Sequence, residues 1–391
     1  MTTRISRIAT AALLILLALS PALRAGEILV REYGFSLDLP EGWQPLDASD
    51  PAKLSFADET HGAVLQVTRF AHDPSLTAER MCRDIASRLK AQGDGEAFGF
   101  SGRDAYLADY TFKAGGRSQR GYVLAIRDPE GKGSGGPSDY VLIAFAPADG
   151  YEDAYDFIVS ALDSFSPDAE GELLPGPLSQ FLYAFPGGSP ARRQITFMGR
   201  SLPIDLDANE IEAAQVVVER EARILASYGE EQDEAWVRFY RVVARDCYRR
   251  LDGISAGIAR EIAARNIPKA ETPLAILSWI QVFAYTRSQT LADFTSPLAT
   301  AVAASGDCDS RVLLYVLVLR HIGVDAMLFV SSRYSHSVAG VDLDLPGAKM
   351  TVDGKKYLVA ELTEKVDIGL IDRTMADASG WIPVRVGDPR R

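Results

Sequence analysis

Cysteine is scarce in this chain of 391 residues, occurring three times, at Cys82, Cys247 and Cys308. So small and odd a number excludes a disulfide scaffold and leaves at least one thiol unpaired within the chain. A Cys82–Cys247 bridge would join two different expected domains, and both residues also fit buried helix faces. Basic residues are outnumbered: 41 Lys and Arg stand against 53 Asp and Glu, for a formal charge of −12. No basic stripe is present, so nucleic acid is not an expected partner. Histidine is limited to His61, His72, His321 and His336, which narrows any search for a general base. Beyond residue 25 no run reaches the about 18 apolar residues of a membrane span. Internal repeats and low-complexity tracts are also missing.

What is present begins with "IATAALLILLAL" (Ile8 to Leu19), preceded by Arg4 and Arg7 and followed by "SPALRA" with small residues at Ala22 and Ala25. This reads as a signal peptide over residues 1–25 and a periplasmic or secreted product. The alternative is a retained N-terminal membrane anchor. Hydrophobic residues make up 47% of the chain and charged residues 24%, a globular composition with ample core.

Residues 27–168 read as one unit. "GFSLDLP" alternates apolar Phe35, Leu37 and Leu39 with small or polar neighbours and stops at Pro40 and Gly42, the pattern of a half-buried strand. "AVLQVTRF" is a second strand. Leu76 to Gly93 reads as an amphipathic helix ended by Gly93, with Met81, Ile85 and Leu89 spaced four apart. Strands "DAYLADYTF", "RGYVLAIRD" and "YVLIAFAP" follow, and "YEDAYDFIVSALDSF" is a closing helix. The glycine-rich segment Glu130 to Asp139 lies between two strands and lacks a Lys-Ser/Thr ending, so it reads as a hairpin loop and not a phosphate cradle. The expected architecture is an antiparallel sheet with helices on one face. With "GFSLDLPEGW" at its front and "FIVSALDSF" at its back, the unit resembles the PsbP-like α+β fold of exported bacterial proteins. That resemblance implies a binding or scaffolding module and no catalytic residues.

"SPDAEGELLPGPLSQ" (Ser166 to Gln180) is the expected linker, and residues 169–391 form the second unit. A β-rich patch, "RQITFMGRSLPIDL", precedes helices "DANEIEAAQVVVEREARILASYG" (Asp-capped, ending at Gly229), "DEAWVRFYRVVARDCYRRL" and "TPLAILSWIQVFAYTRS". The acidic run "GEEQDE" reads as a solvated helix start. Strands "AMLFVSS", "HSVAGVDLDL", "KMTVDG" and "KKYLVAELT" end the unit. Between the helices and strands lies "SGDCDSRVLLYVLVLRHIG", with Cys308 at the mouth of an apolar helix and Val312, Val316 and Leu319 continuing its stripe.

A nucleophilic cysteine needs its thiolate stabilised, a base, and a group that orients the base. A helix N-terminus supplies the first, although flanking Asp307 and Asp309 oppose it. Asp307 also reads as the helix cap. His321 lies about three and a half turns along the same helix and cannot reach Cys308. His336 begins the second strand after the helix and can. Glu361 falls on a mostly apolar strand, at mid-length, where a carboxylate needs a partner; the Asp353-Gly354 turn brings that strand beside His336. A metal held by Asp307, Cys308 and His336 lacks the ligand spacing of a zinc centre, and neither metal nor cofactor is expected.

Gly306, Asp307 and Cys308 at a helix start, His336 on the next hairpin, and Glu361 with Thr363 two residues later resemble the transglutaminase-like, papain-related superfamily. The stretch from Pro273 to Thr363, about a quarter of the chain, carries the likeness. It implies an α+β papain-like domain in which Cys308, His336 and Glu361 cleave or transfer amide bonds through a thioester. The substrate would be a protein or peptide. The backbone N–H of Cys308 would serve as an oxyanion donor, with Tyr285 or Gln281 as side-chain candidates. The family usually carries Asp where this chain has Glu361. A catalytically inactive envelope binding or assembly protein is the alternative reading.

Overall fold

In a computed structural model, residues 27–386 are described, apart from 133–134, 229–232 and 288. The expected signal peptide, the Gly229 helix end and most of "GEEQDE" lie outside the described residues.

The N-terminal half runs β1 (Glu27–Val30), β2 (Phe35–Asp38), β3 (Trp43–Asp50), β4 (Lys53–Asp58), β5 (Ala63–Ala71), α1 (Ala78–Leu89), β6 (Gln92–Phe100), β7 (Arg103–Ala114), β8 (Arg117–Asp128), β9 (Ser138–Pro147) and α2 (Tyr151–Asp163). β1 and β2 form a separate hairpin. The other strands make one antiparallel sheet in the order β3-β4-β5-β9-β8-β7-β6. The chain is α+β, as expected.

The two helices do not share a face. Strand side chains alternate, and Leu107, Leu124, Ile126 and Leu142 join the core under α2. Tyr106, Ala108, Val123, Ala125 and Val141 join a second core under α1 with Met81 and Cys82. The central strands are therefore covered on both sides, which is why "DAYLADYTF" and "YVLIAFAP" lack clean polar alternation. α1 starts at a Thr77 cap and ends at Lys90, whose φ of 51° terminates the helix. Gly93, the expected stop, lies inside β6. The glycine-rich segment connects β8 to β9 in an antiparallel hairpin, in keeping with its reading as a hairpin loop.

The C-terminal half runs α3 (Pro177–Leu182), β10 (Ala191–Phe197), β11 (Arg200–Leu206), α4 (Ala208–Ser227), α5 (Asp233–Tyr248), α6 (Asp252–Ala264), α7 (Thr272–Ile280), β12 (Ala284–Tyr285), α8 (Pro297–Ala303), β13 (Ser305–Gly306), α9 (Cys308–His321), β14 (Ala326–Ser331), β15 (His336–Val341), β16 (Lys349–Val352), β17 (Lys355–Ala360) and β18 (Ile382–Val384). Strands β14–β18 form an antiparallel sheet in the order β16-β17-β15-β14-β18. α9 packs on it with every residue from Val312 to Leu319 fully buried, so the helix is enclosed all round rather than amphipathic. α7 stops at Ile280, short of the expected "AYTRS" extension, because the chain turns there into the extended β12. No helix among the described residues is long and apolar enough to cross a membrane.

The expected linker is a packed strap. Asp163 Oδ1 accepts the N–H groups of Leu178 and Ser179, each at 3.0 Å, and Ser179 and Gln180 are buried. The two halves meet through desolvated charge. Arg220 bonds Asp163 at 2.9 Å and Glu221 at 2.8 Å. Arg238 bonds Glu221 at 2.7 Å, Ser160 Oγ at 2.7 Å and the Asp38 carbonyl at 2.9 Å. Burial alone would raise the Glu221 carboxyl, but Arg238 and Arg220 hold it below the usual range. Glu221 therefore neutralises two buried guanidinium groups at once. Removing one member of such a network strands the others' charge. Glu221→Gln is expected to lower unfolding stability by about 3–5 kcal/mol, read as a lower midpoint in urea denaturation.

Candidate active site

The helix that presents Cys308 starts where it does because Asp307 caps it, its Oδ1 accepting the Ser310 N–H at 2.9 Å. That places Cys308 in the first turn, 5% exposed. Gly306 permits the approach. A Cβ there would lie 2.9 Å from Ser310 Cβ and 3.2 Å from Thr300 Cγ2, tighter than ordinary packing. Gly306 also pairs in parallel with Tyr285 across the short β12–β13 ladder.

His336 opens β15 opposite Ser331, after a tight turn in which Ser335 has φ 47°. Its Nε2 lies 2.7 Å from Glu361 Oε2, and the ring also interacts with the Cys308 thiol. With Nε2 turned to Glu361, Nδ1 is the nitrogen left for the sulfur side. Glu361 Oε1 accepts the Thr363 N–H at 2.7 Å and the Thr363 hydroxyl. Glu361 sits one residue beyond β17 and not at mid-strand as expected. The strand's end frees its backbone to turn, so that Thr363 can fold back onto the carboxylate. The Asp353-Gly354 turn, with φ of 52° and 79°, closes the β16–β17 hairpin as anticipated, and β17 lies beside β15.

Electrostatics follow from this packing. Burial disfavours a charged His336, but the bonds and charges of Cys308 and Glu361 outweigh it and lift the imidazole to about 10. Burial would raise Glu361, yet His336 and Thr363 hold it below its ordinary value. Burial and the neighbouring Asp309 raise Asp307 to about 6. Asp309, half-buried, is raised by burial and faces the Ser337 and Tyr240 hydroxyls.

The two side-chain oxyanion candidates differ in what they are bonded to. Gln281 Nε2 donates to the carbonyls of Glu361 and Val366, both at 2.9 Å, so both its N–H groups anchor the segment that carries the carboxylate. Tyr285 is 52% exposed, and its hydroxyl accepts from Arg287 Nε at 3.3 Å. His321 binds the Leu317 carbonyl at 2.8 Å and Asp252 at 3.0 Å, far along α9 from Cys308, as expected. The side-chain donors of Asp307, Cys308 and Asp309 lie within 4.8 Å of one another, but Asp307 Oδ1 is committed to the helix cap.

Sequence reasoning passed over Arg311. It is 1% exposed and donates to three carbonyls: Gly306 at 2.9 Å, Phe283 at 2.9 Å and Leu362 at 3.3 Å. Its guanidinium also lies 5.5 Å from the Tyr285 ring centroid. One side chain thus ties together the segments beside Cys308, Tyr285 and Glu361. The available signal was a cation near the start of a helix whose next eight residues, Val312 to Leu319, carry no charge. Also missed were Trp236, Tyr240 and Arg287, which line an open cleft of about 300 Å³ with Cys308, Asp309 and His336.

No family model matches the chain, nor does any curated protein. Solved structures show distant likeness. LpqN of Mycobacterium tuberculosis, described as involved in cell envelope biogenesis, is 15% identical over 36% of this chain and 88% of its own, with a TM-score of 0.25. A Bacteroides thetaiotaomicron structure is 9% identical over 85% of this chain and 89% of its own, with a TM-score of 0.26. PA94 of Pseudomonas aeruginosa, a protein of unknown function, is 18% identical over 33% and 88%, with a TM-score of 0.21. At these scores none bears on what the site does.

Two outcomes are expected from the site's construction. His336 titrates higher folded, at about 10, than its unfolded value of about 6.5. Its contribution to stability is therefore complete below about pH 6.5 and lost as pH rises toward about 10. Unfolding free energy measured across that window should fall, and Glu361→Gln should flatten the fall. Arg311→Met, which leaves three carbonyls without their donor, should lower stability by about 3 kcal/mol or more in the same assay.

Proposed function

We propose that this chain is an exported cysteine hydrolase of amide bonds in proteins or peptides, with a transglutaminase-like catalytic domain. The observation that carries the reading is the His336 ring, bonded to Glu361 on one side and set against the Cys308 thiol on the other. Export rests on the apolar N-terminal segment, Ile8 to Leu19.

In this reading His336 takes the Cys308 proton, and the sulfur attacks the carbonyl carbon of the scissile amide. The negative charge that develops on oxygen lies at the N-terminus of α9, where the Cys308 N–H and the helix dipole stabilise it. His336 returns the proton to the departing amine nitrogen, so the C–N bond breaks and a thioester remains. Water, deprotonated by the same imidazole, releases the acid and restores the thiol. Glu361 stays ionised throughout and keeps the ring oriented, as the carboxylate does in other triads. An amine in place of water would give transamidation; hydrolysis is the reading favoured here. Glu361 fills the place of the family's aspartate just beyond β17, where the Thr363 N–H and hydroxyl hold its carboxylate.

Iodoacetamide labelling across pH tests the pairing. Cys308 should alkylate about tenfold faster than a free small thiol at pH 6–7, with Cys308→Ala as the blank. Glu361→Ala should slow the reaction. Labelling no faster than a free thiol would sink the enzyme reading and leave a non-catalytic envelope binding or assembly protein. A quenched peptide library cleaved by the native chain and not by Cys308→Ala would then define the substrate.

A further inference from the structure

We propose that the cleft beside Cys308 selects substrates bearing a positive charge next to the reacting carbonyl, with Asp309 as the anion and Trp236 and Tyr240 as the aromatic wall. The inference rests on Cys308 being the nucleophile and adds the substrate class.

Asp309 follows Cys308 in the first turn of α9, so its carboxylate opens into the same cleft. It faces the hydroxyls of Tyr240 and Ser337, and the cations whose charge reaches it are His336 and Arg287. Each of those cations has a carboxylate of its own, His336 in Glu361 at 2.7 Å and Arg287 in Asp293 at 3.1 Å. Beside Asp309 the partly exposed Trp236 stacks on buried Tyr240, with ring centroids 6.1 Å apart at 25°. They stand four residues apart on α5 and therefore share one helix face. An aromatic face attracts a cation through its quadrupole, and a nearby carboxylate in a partly desolvated cleft adds a Coulomb term larger than water allows. Together they suit an alkylammonium or guanidinium group, such as a basic side chain flanking the scissile bond.

The charge of a small alkylating probe reads this directly. The native chain is treated with cationic 2-bromoethylammonium, neutral iodoacetamide and anionic iodoacetate. Each reagent loses its halide as the C–S bond forms at Cys308. Rates are followed by mass spectrometry, divided by each reagent's rate with 2-mercaptoethanol, and blanked with Cys308→Ala. The normalised cation-to-anion ratio should be about fivefold or more, the selectivity of one partly screened ion pair. Asp309→Asn should bring it close to one while iodoacetamide still reacts. Should that variant fail to fold by circular dichroism, Trp236→Leu replaces it and should lower the same ratio. A preference for iodoacetate, which protonated His336 and Arg287 would favour, overturns the proposal, as does a ratio that the folded variant leaves unchanged. Slow labelling by all three reagents overturns the nucleophile reading itself, and the inference with it.

Discussion

Arg311 is the constraint on which the site depends. Its guanidinium sits in the core, 1% exposed, and is solvated by three backbone carbonyls rather than by a carboxylate. Burying an unpaired cation is costly unless its donors are satisfied. The three carbonyls therefore cannot drift: each is held where the arginine needs an acceptor. Because they belong to Gly306, Phe283 and Leu362, one side chain sets the approach of the helix start, the β12 strand and the loop that carries Glu361. Burial lowers the guanidinium from its ordinary value without bringing it near neutrality, since arginine stays charged in proteins.

A second arginine system joins the two halves. Arg220 and Arg238 share Glu221 at the boundary, and Arg245 donates to the carbonyls of Leu174, Ser164 and Phe165 at 3.0, 2.6 and 2.8 Å. These contacts make the connecting strap part of the core. They also bear on the cleft. α5 carries Arg238, Arg241 and Arg245 toward the N-terminal half and Trp236 and Tyr240 toward the cleft, so the wall beside Cys308 is set partly by the neighbouring domain.

Much of the fold was legible where one face of an element is wet. The Asp207 and Asp307 caps, the Asp353-Gly354 turn, the succession of strands from β14 to β17 and the α+β class follow from period and turn chemistry. Elements buried on both faces or built from glycine were less legible. β6, "QGDGEAFGF", has no apolar alternation and is a strand only because β7 supplies its partners from Gln92 to Phe100. The placement of both helices on one face failed because a doubly covered strand carries no sign of which face takes which helix. α7 was read too long because the apolar run continues past Ile280, while its backbone is recruited into β12.

At the site, the residue types and their order were set by sequence: a cysteine after Gly-Asp at a helix start, a histidine opening a later strand, and a carboxylate that needed a partner. Few histidines and few cysteines made the combination identifiable. Tertiary structure alone decided that His336 Nε2 meets Glu361 at 2.7 Å, that Gln281 anchors the backbone behind it, and that Arg311 ties the pieces together. It also decided that Asp309 opens into a cleft walled by a helix some seventy residues earlier in the chain. The physical reason is that caps, turns and periodicity act between near neighbours in sequence. The desolvation of a charge and the distance between two side chains depend on everything packed around them.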